Sequence, residues 1–267
     1  MNKKIVFCGG GPMGEGILEG LLRNGVALPE QVTVKELLPA RREYLSNTYH
    51  VAAVLDATDA IKEADLVIIA VNPAQIPSVA QTVRPLVKKD VILLSIACGV
   101  KLADLEAQLG AEKKILRVMP NTLIKSGNGY SAACVNAHID DEDKKLITEI
   151  LDALGQTMYV KENMFETFTA FCCVGPLWFY KEVEALIDAG VHSGFSRIDS
   201  RNMVIKNMLG VAQVLDVTGA HPALRVDDMT SPGGVTIEAL KVLHEEGFAS
   251  ALMKSVAVTV EKANVMH

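Results

Sequence analysis

The sequence predicts an N-terminal doubly wound parallel α/β sheet followed by a C-terminal all-helical domain. Three observations carry this. Short, nearly continuous apolar runs alternate with helix-period segments through residues 1–160, the pattern of parallel strands covered on both faces. From Glu162 onward no run reads as a strand. The chain has 267 residues, which at about 150 residues per domain allows one large domain or two modest ones.

The elements follow in order. Lys4 to Cys8 is a first strand, and Met13 to Arg23 a helix with Ile17, Leu21 and Leu22 on one face. Gln31 to Val34 is a second strand and Pro39 to Thr48 a helix. Leu66 to Val71, Val91 to Ala97 and Lys114 to Val118 are further strands, with helices at Ala74 to Val87 and Leu102 to Leu109. The boundary falls near Val160, giving domains of residues 1–160 and 161–267. No Gly/Ser-rich linker marks it, so the two parts are expected to share an interface. Asn163 to Ala189 is one long helical stretch kinked at Gly175-Pro176, because proline removes a helix hydrogen bond. Ser196 caps a helix from Arg197 to Val217, which Thr218-Gly219 ends. Thr236 to Glu246 and Phe248 to Asn264 are the last two helices. The apolar residues of these C-terminal helices occupy more than one face, which calls for burial against a second copy of the chain, the alternative being packing on the first domain alone.

Hydrophobic residues make up 49% and charged residues 22%, which excludes disorder. A net charge of -6 and only 5% aromatic residues give nucleic-acid binding no electrostatic or stacking basis. No apolar run approaches the roughly 18 residues of a spanning helix, so no membrane partner is expected. The five cysteines, Cys8, Cys98, Cys134, Cys172 and Cys173, form no CxxC and no His/Cys cluster. That predicts a reducing cytoplasm and no metal.

The clearest motif is Gly9-Gly10-Gly11-Pro12-Met13-Gly14. It follows a predicted strand and opens a predicted helix. Gly9 permits the tight turn, Gly11 lets a pyrophosphate approach the backbone, and Gly14 lets helix pack on strand. The helix start adds unpaired N–H groups and positive potential. This is a dinucleotide loop. Glu36, 22 residues after Gly14, stands where an acid binds the adenosine ribose and favours NADH. Lys35, Arg41 and Arg42 are close enough in sequence to receive the 2′-phosphate of NADPH, so both cofactors stay open. The predicted strand ends Val71-Asn72-Pro73, Ala97-Cys98 and Met119-Pro120-Asn121 lie where doubly wound folds bind ligands. A second loop, Thr230-Ser231-Pro232-Gly233-Gly234-Val235-Thr236, opens another helix. Its adjacent glycines and helix start suit a small carboxylate. On the residues alone, Ser231 and Thr236 read equally well as ordinary caps.

Four segments in this order, GPMGE at the glycine loop, SIACGV at Ser95 to Val100, RVMPNT at Arg117 to Thr122 and MTSPGGVTIEAL at Met229 to Leu240, resemble pyrroline-5-carboxylate reductases over essentially the whole chain. The resemblance implies a Rossmann domain and a helical dimerisation domain. It implies NAD(P)H-dependent reduction of a cyclic imino acid, 1-pyrroline-5-carboxylate, to L-proline, in a homodimer or a larger assembly of dimers. It implies a site formed where domains and subunits meet. By the same resemblance Thr236 bonds the imine nitrogen, and Ser231, Gly233 and Gly234 hold the carboxylate. Gly9, Gly11, Pro12, Met13, Gly14, Glu36 and the three strand ends would bind the cofactor.

The chain departs from the family's usual pattern at three places. Cys172-Cys173-Val174-Gly175-Pro176-Leu177-Trp178 replaces an SGSGPAY kink, Asn72 replaces lysine, and Pro12 replaces asparagine. Two other functions stay open at this point. One is a reductase of another imino acid or a β-hydroxyacid dehydrogenase, for which Lys181 would be the candidate base, although its spacing does not fit. The other is a non-catalytic dinucleotide-binding regulator.

Overall fold

The computed structural model describes residues 3–265. They form two compact units, one of residues 3–173 with 263–265 and one of Val174–Lys262.

The first unit is built on an eight-stranded sheet of order β3-β2-β1-β4-β5-β6-β7-β8. The strands are β1 (Ile5–Cys8), β2 (Val32–Lys35), β3 (Ala52–Val54), β4 (Leu66–Ile69), β5 (Ile92–Ser95), β6 (Lys114–Pro120), β7 (Gly129–Val135) and β8 (Gly155–Tyr159). Helices α1 (Pro12–Arg23), α2 (Pro39–Tyr49), α3 (Thr58–Glu63), α4 (Ile76–Val83), α5 (Leu102–Leu109) and α6 (Asp141–Asp152) connect them. β1, β4 and β5 are buried at every position, which is why they read as unbroken apolar runs. One face packs on Ile17, Leu18 and Leu21 of α1 and Ile147, Ile150 and Leu151 of α6. The other packs on Ile61, Ala80, Val83, Leu105 and Leu109 of α3, α4 and α5.

The sheet is not wholly parallel as expected. β7 runs antiparallel to β6, and β8 is parallel to β7. Five elements of this unit escape the periodicity reading: β3, α3, β7, α6 and β8. β3 has three residues and α3 six. β7 is mostly glycine, serine and alanine, residues with little strand propensity. β8 is an exposed edge. The start of α6 was marked by a legible device, Asp140, whose side chain accepts from the N–H groups of Glu142 and Asp143.

The expected single kinked helix from Asn163 to Ala189 is four pieces. A 3-10 turn (Glu162–Met164) leads to α7 (Phe165–Phe168), then a π turn (Thr169–Cys173), then α8 (Pro176–His192). The Thr169 hydroxyl donates to the Phe165 carbonyl at 2.8 Å, competing with the backbone ladder where it widens. Pro176 starts α8, the position where its missing N–H costs nothing.

The second unit is all helical: α8, α9 (Arg197–Thr218), α10 (Pro222–Met229), α11 (Val235–Glu245) and α12 (Phe248–Val265). Ser196 caps α9 through the Asp199 N–H at 3.1 Å, and Gly219 ends it at φ 60. The short α10, eight residues opened by Pro222, carries too little apolar periodicity to be predicted from the sequence. α8 and α9 approach closely at Gly190, where an added Cβ would lie 2.6 Å from Ser200 Oγ. Trp178 Nε1 donates to Ser255 Oγ at 2.8 Å, tying α8 to α12. Large apolar side chains remain exposed throughout, including Ile198, Leu209, Val211, Val217 and Met253. Among the described residues no helix is long and apolar enough to cross a membrane.

Candidate functional site

β1, β4, β5 and β6 are parallel neighbours, so their carboxyl ends share one edge of the sheet. The chain order reverses between β1 and β4, the switch point where doubly wound folds leave a crevice. The glycine loop fills the β1 end of that edge. Gly9 has φ +103, and an added Cβ would lie 2.5 Å from the Ala70 carbonyl oxygen. At Gly14 an added Cβ would lie 2.8 Å from Gly9 O. At Gly11 it would meet nothing within 4 Å. Two glycines are therefore required by protein atoms, and the third faces open space. Gly11 is the N-cap of α1, no side chain caps the helix, and Pro12 sits in its first turn. The first helical bond runs from the Glu15 N–H to Gly11 O at 2.8 Å, leaving the Met13 and Gly14 N–H groups for an anion. The Met13 side chain packs against the core, so that residue offers its backbone. These features fit a dinucleotide diphosphate.

Glu36 follows β2 directly. Its Oε2 accepts from the Gly10 N–H at 2.9 Å and its Oε1 from the Leu38 N–H at 3.0 Å. Arg41 Nε donates to Gly10 O at 2.6 Å and its Nη2 to Glu15 Oε2 at 2.6 Å. Arg42 Nη1 donates to the Glu36 and Leu37 carbonyls at 2.9 and 2.8 Å.

The remaining strand ends lie along the same edge. Val71 borders the loop, within 2.9 Å of a Cβ built on Gly9. The Asn72 N–H donates to Gln75 Oε1 at 3.2 Å, shaping the Asn72-Pro73 turn. Ala97 is buried and Cys98 exposed. Met119 and Pro120 close β6 and are buried. Asn121 Oδ1 accepts from the Leu123 and Tyr130 N–H groups, each at 3.2 Å. That carboxamide braces the turn between β6 and β7.

The second loop lies in the helical unit. Ser231 O accepts from the Gly234 N–H at 3.0 Å, and Gly233 has φ +69. Proline then glycine at the central positions, with positive φ at the second, makes a type II turn. Gly234 is the N-cap of α11, and no side chain caps that helix. The reading of Ser231 or Thr236 as ordinary caps therefore fails. Thr236 is half-buried in the first turn, beside backbone N–H groups that have no helical partner.

Comparison with known proteins covers both places. The family described as pyrroline-5-carboxylate reductase dimerisation matches residues 162–266, and one described as NADP oxidoreductase coenzyme F420-dependent matches residues 4–99. Pyrroline-5-carboxylate reductase of Escherichia coli (strain K12) is 33% identical over 98% of each chain. The protein of that name from Glycine max is 32% identical over 96% of this chain and 93% of its own. A crystal structure of Plasmodium falciparum pyrroline carboxylate reductase with NADP bound has TM-score 0.88 at 29% identity, covering 99% of this chain and 98% of that one. This chain belongs to the pyrroline-5-carboxylate reductase family.

These relatives favour neither the β-hydroxyacid dehydrogenase nor the non-catalytic alternative. Lys181 is exposed and paired with Glu184 on its own helix. In this member of the family the unusual Cys172-Cys173 pair lies against the carboxyl end of β6. Asn121 Nδ2 donates to Cys172 Sγ at 3.6 Å, and the Cys173 thiol donates to Pro120 O at 3.7 Å. Burial, with the neighbouring Cys172 and Cys98 thiols, pushes Cys173 up to about 12, so it stays a neutral thiol. The replacement for the family's usual serine and glycine residues thus borders a predicted cofactor edge. Sequence reasoning missed the parts that reach across the fold. Gln75 shapes the Asn72 turn, and Arg41, Tyr44 and Tyr49 converge on Glu15. The only local signal was the GPMGE motif that contains Glu15.

Proposed function

We propose that this protein reduces 1-pyrroline-5-carboxylate to L-proline with NADH or NADPH. The observation that carries the reading is the start of α11, a helix without a side-chain cap, opened by a Ser-Pro-Gly-Gly turn. A helix start of this kind attracts a carboxylate through its N–H groups and dipole. Gly233 supplies a main-chain donor and Ser231 a hydroxyl, and Gly234, whose N–H closes the turn onto Ser231 O, holds the loop against the carboxylate. Thr236 supplies a hydrogen bond to the ring nitrogen, which makes the adjacent carbon electrophilic. A hydride added at that carbon and a proton at nitrogen turn CH=N into the CH2–NH of proline. The reduced nicotinamide supplies the hydride when bound. Gly9, Gly11, Pro12, Met13 and Gly14 hold the diphosphate. Glu36 faces the adenosine end. Val71, Asn72, Pro73, Ala97, Cys98, Met119, Pro120 and Asn121 border the nicotinamide end. The chain itself contributes chiefly binding and orientation, which supply much of the rate in such reactions.

The exposed apolar helices and the dimerisation family that matches them support a homodimer, with larger assemblies built from it. The five cysteines are free thiols, which supports a cytoplasmic location. The test is spectrophotometric. Purified protein with pyrroline-5-carboxylate consumes NADH or NADPH, followed at the nicotinamide absorbance band. Thr236→Ala lowers kcat by about a hundredfold, at the lower end of the effect of a positioned proton donor, and leaves cofactor affinity unchanged. No turnover with either cofactor overturns the function. A wild-type rate in Thr236→Ala removes Thr236 from it.

A further inference from the structure

We propose that Glu36 makes this protein NADH-selective by occupying the place a 2′-phosphate would need. The inference rests on the reading of the Gly9–Gly14 loop as a dinucleotide site and goes beyond it by choosing between the two cofactors.

Glu36 stands at the carboxyl end of β2, beside the glycine loop that ends β1. In a doubly wound sheet this position meets the adenosine ribose. The carboxylate is fixed there by two main-chain donors, Gly10 N–H at 2.9 Å and Leu38 N–H at 3.0 Å. A side chain held at both oxygens does not swing aside for a competing anion. Each oxygen retains a lone pair after its bond to the backbone. The pair is therefore matched to a ribose diol, which brings two hydroxyl donors. A 2′-phosphate brings charge of the same sign and no hydroxyl at that position. At contact distance in a partly buried site, such repulsion exceeds a tenfold effect on binding.

Three nearby cations would have to offset this repulsion, and each is turned elsewhere. Arg41 is bonded to Gly10 O and Glu15, and its guanidinium lies over the Tyr44 ring at 4.9 Å. Arg42 bonds the Glu36 and Leu37 carbonyls. Lys35 is one residue out of phase with Glu36, so its side chain leaves the opposite face of the sheet. It pairs in register with Cys8, whose side chain belongs to that other core layer. The basic residues that make the sequence ambiguous thus brace the loop or face away from it.

The experiment titrates NADH and NADPH into the protein without imine, reading nicotinamide fluorescence. NADH binds at least about tenfold more tightly than NADPH. Glu36→Gln keeps an acceptor for the Gly10 N–H but removes the charge, and narrows the ratio by about tenfold. Glu36→Ser, which also opens space, shifts it further toward NADPH. Thermal melts by circular dichroism verify that both variants are folded. Equal affinity in the wild type, tighter NADPH, or an unchanged ratio in both folded variants overturns the assignment to Glu36 while leaving the dinucleotide site standing. Failure to bind either cofactor overturns the loop reading, and the selectivity with it.

Discussion

Glu15 sits in the first turn of α1, directly behind the phosphate loop, and is buried. Its Oε2 accepts from Arg41 at 2.6 Å, and its Oε1 from the Tyr44 and Tyr49 hydroxyls at 3.0 and 2.8 Å. Burial pushes this carboxyl up, but the bonds from Arg41, Tyr49 and Tyr44 outweigh it and bring Glu15 down to about 2 from 4.5. A carboxyl held below its ordinary value stabilises the folded state when ionised. That contribution is complete above about pH 4.5 and is lost as the pH falls from there toward 2. Glu15→Gln should cost about 2 kcal/mol at pH 7, the value of hydrogen bonds to a charged acceptor. It should also flatten the acid limb of the stability curve. Urea unfolding from pH 7 down to pH 3 measures both, and an acid limb as steep as in the wild type would remove Glu15 as its source. At this scale the sequence is legible only where the cause is local. Gly9, Gly11 and Gly14 act on atoms near them along one turn, and their spacing announces it. The donors to Glu15 come from 26 to 34 residues away, so no spacing encodes them.

Elements show the same division. β1, β4 and β5 were readable because covered parallel strands are almost wholly apolar, and β6 through its apolar residues around Arg117; α9 was readable because Ser196 and Gly219 mark its ends. β7 and β8 were not, since small residues and an exposed edge carry no periodic signal. The segment after β8 depends on a long-range ion cluster. Arg117 on β6 is buried, with Nη1 2.6 Å from Glu162 and Nη2 3.4 Å from Glu166, and its guanidinium stacks over Phe165 at 4.2 Å. Glu162 also accepts from the Leu102 N–H at 2.7 Å. One carboxylate therefore ties β6, the start of α5 and the entry to α7 together. The π turn that follows carries Cys172 and Cys173 onto Pro120 and Asn121. Glu162→Ala leaves the buried guanidinium only its longer contact with Glu166 and takes the acceptor from the Leu102 N–H. It should destabilise the protein by about 3 kcal/mol, the cost of removing one partner from a buried pair. Denaturant unfolding reads this directly. A loss below about 1 kcal/mol, the value of an exposed pair, would show that the cluster is not structural.

For the whole molecule, the decisive quantity is the apolar surface the helical unit leaves uncovered. The strand-bearing unit buries most of its large aliphatic residues, with exceptions in loops such as Leu28, Leu37, Leu38 and Leu55. In α9, by contrast, Ile198 is 73%, Leu209 59%, Val211 61% and Val217 77% exposed. Such a surface is stable in water only when covered, and each aliphatic side chain so buried contributes about 1.5 to 3 kcal/mol. A partner with the same composition and symmetry requirement is a second copy of this chain. The sequence showed the excess of apolar faces but not its geometry, because residue type alone cannot say which faces a lone chain leaves open. Val211 and Val214 lie three residues apart in α9, on one helical face. Charging both, as Val211→Glu with Val214→Glu, should convert the proposed homodimer into a monomer by light scattering. Association is linked to concentration by mass action. Dilution of the double variant should therefore abolish imine reduction, while NADH fluorescence titration still reports the glycine loop intact. A double variant that stays dimeric, or a monomer with full specific activity, would mean that the exposed stripe of α9 serves neither assembly nor turnover.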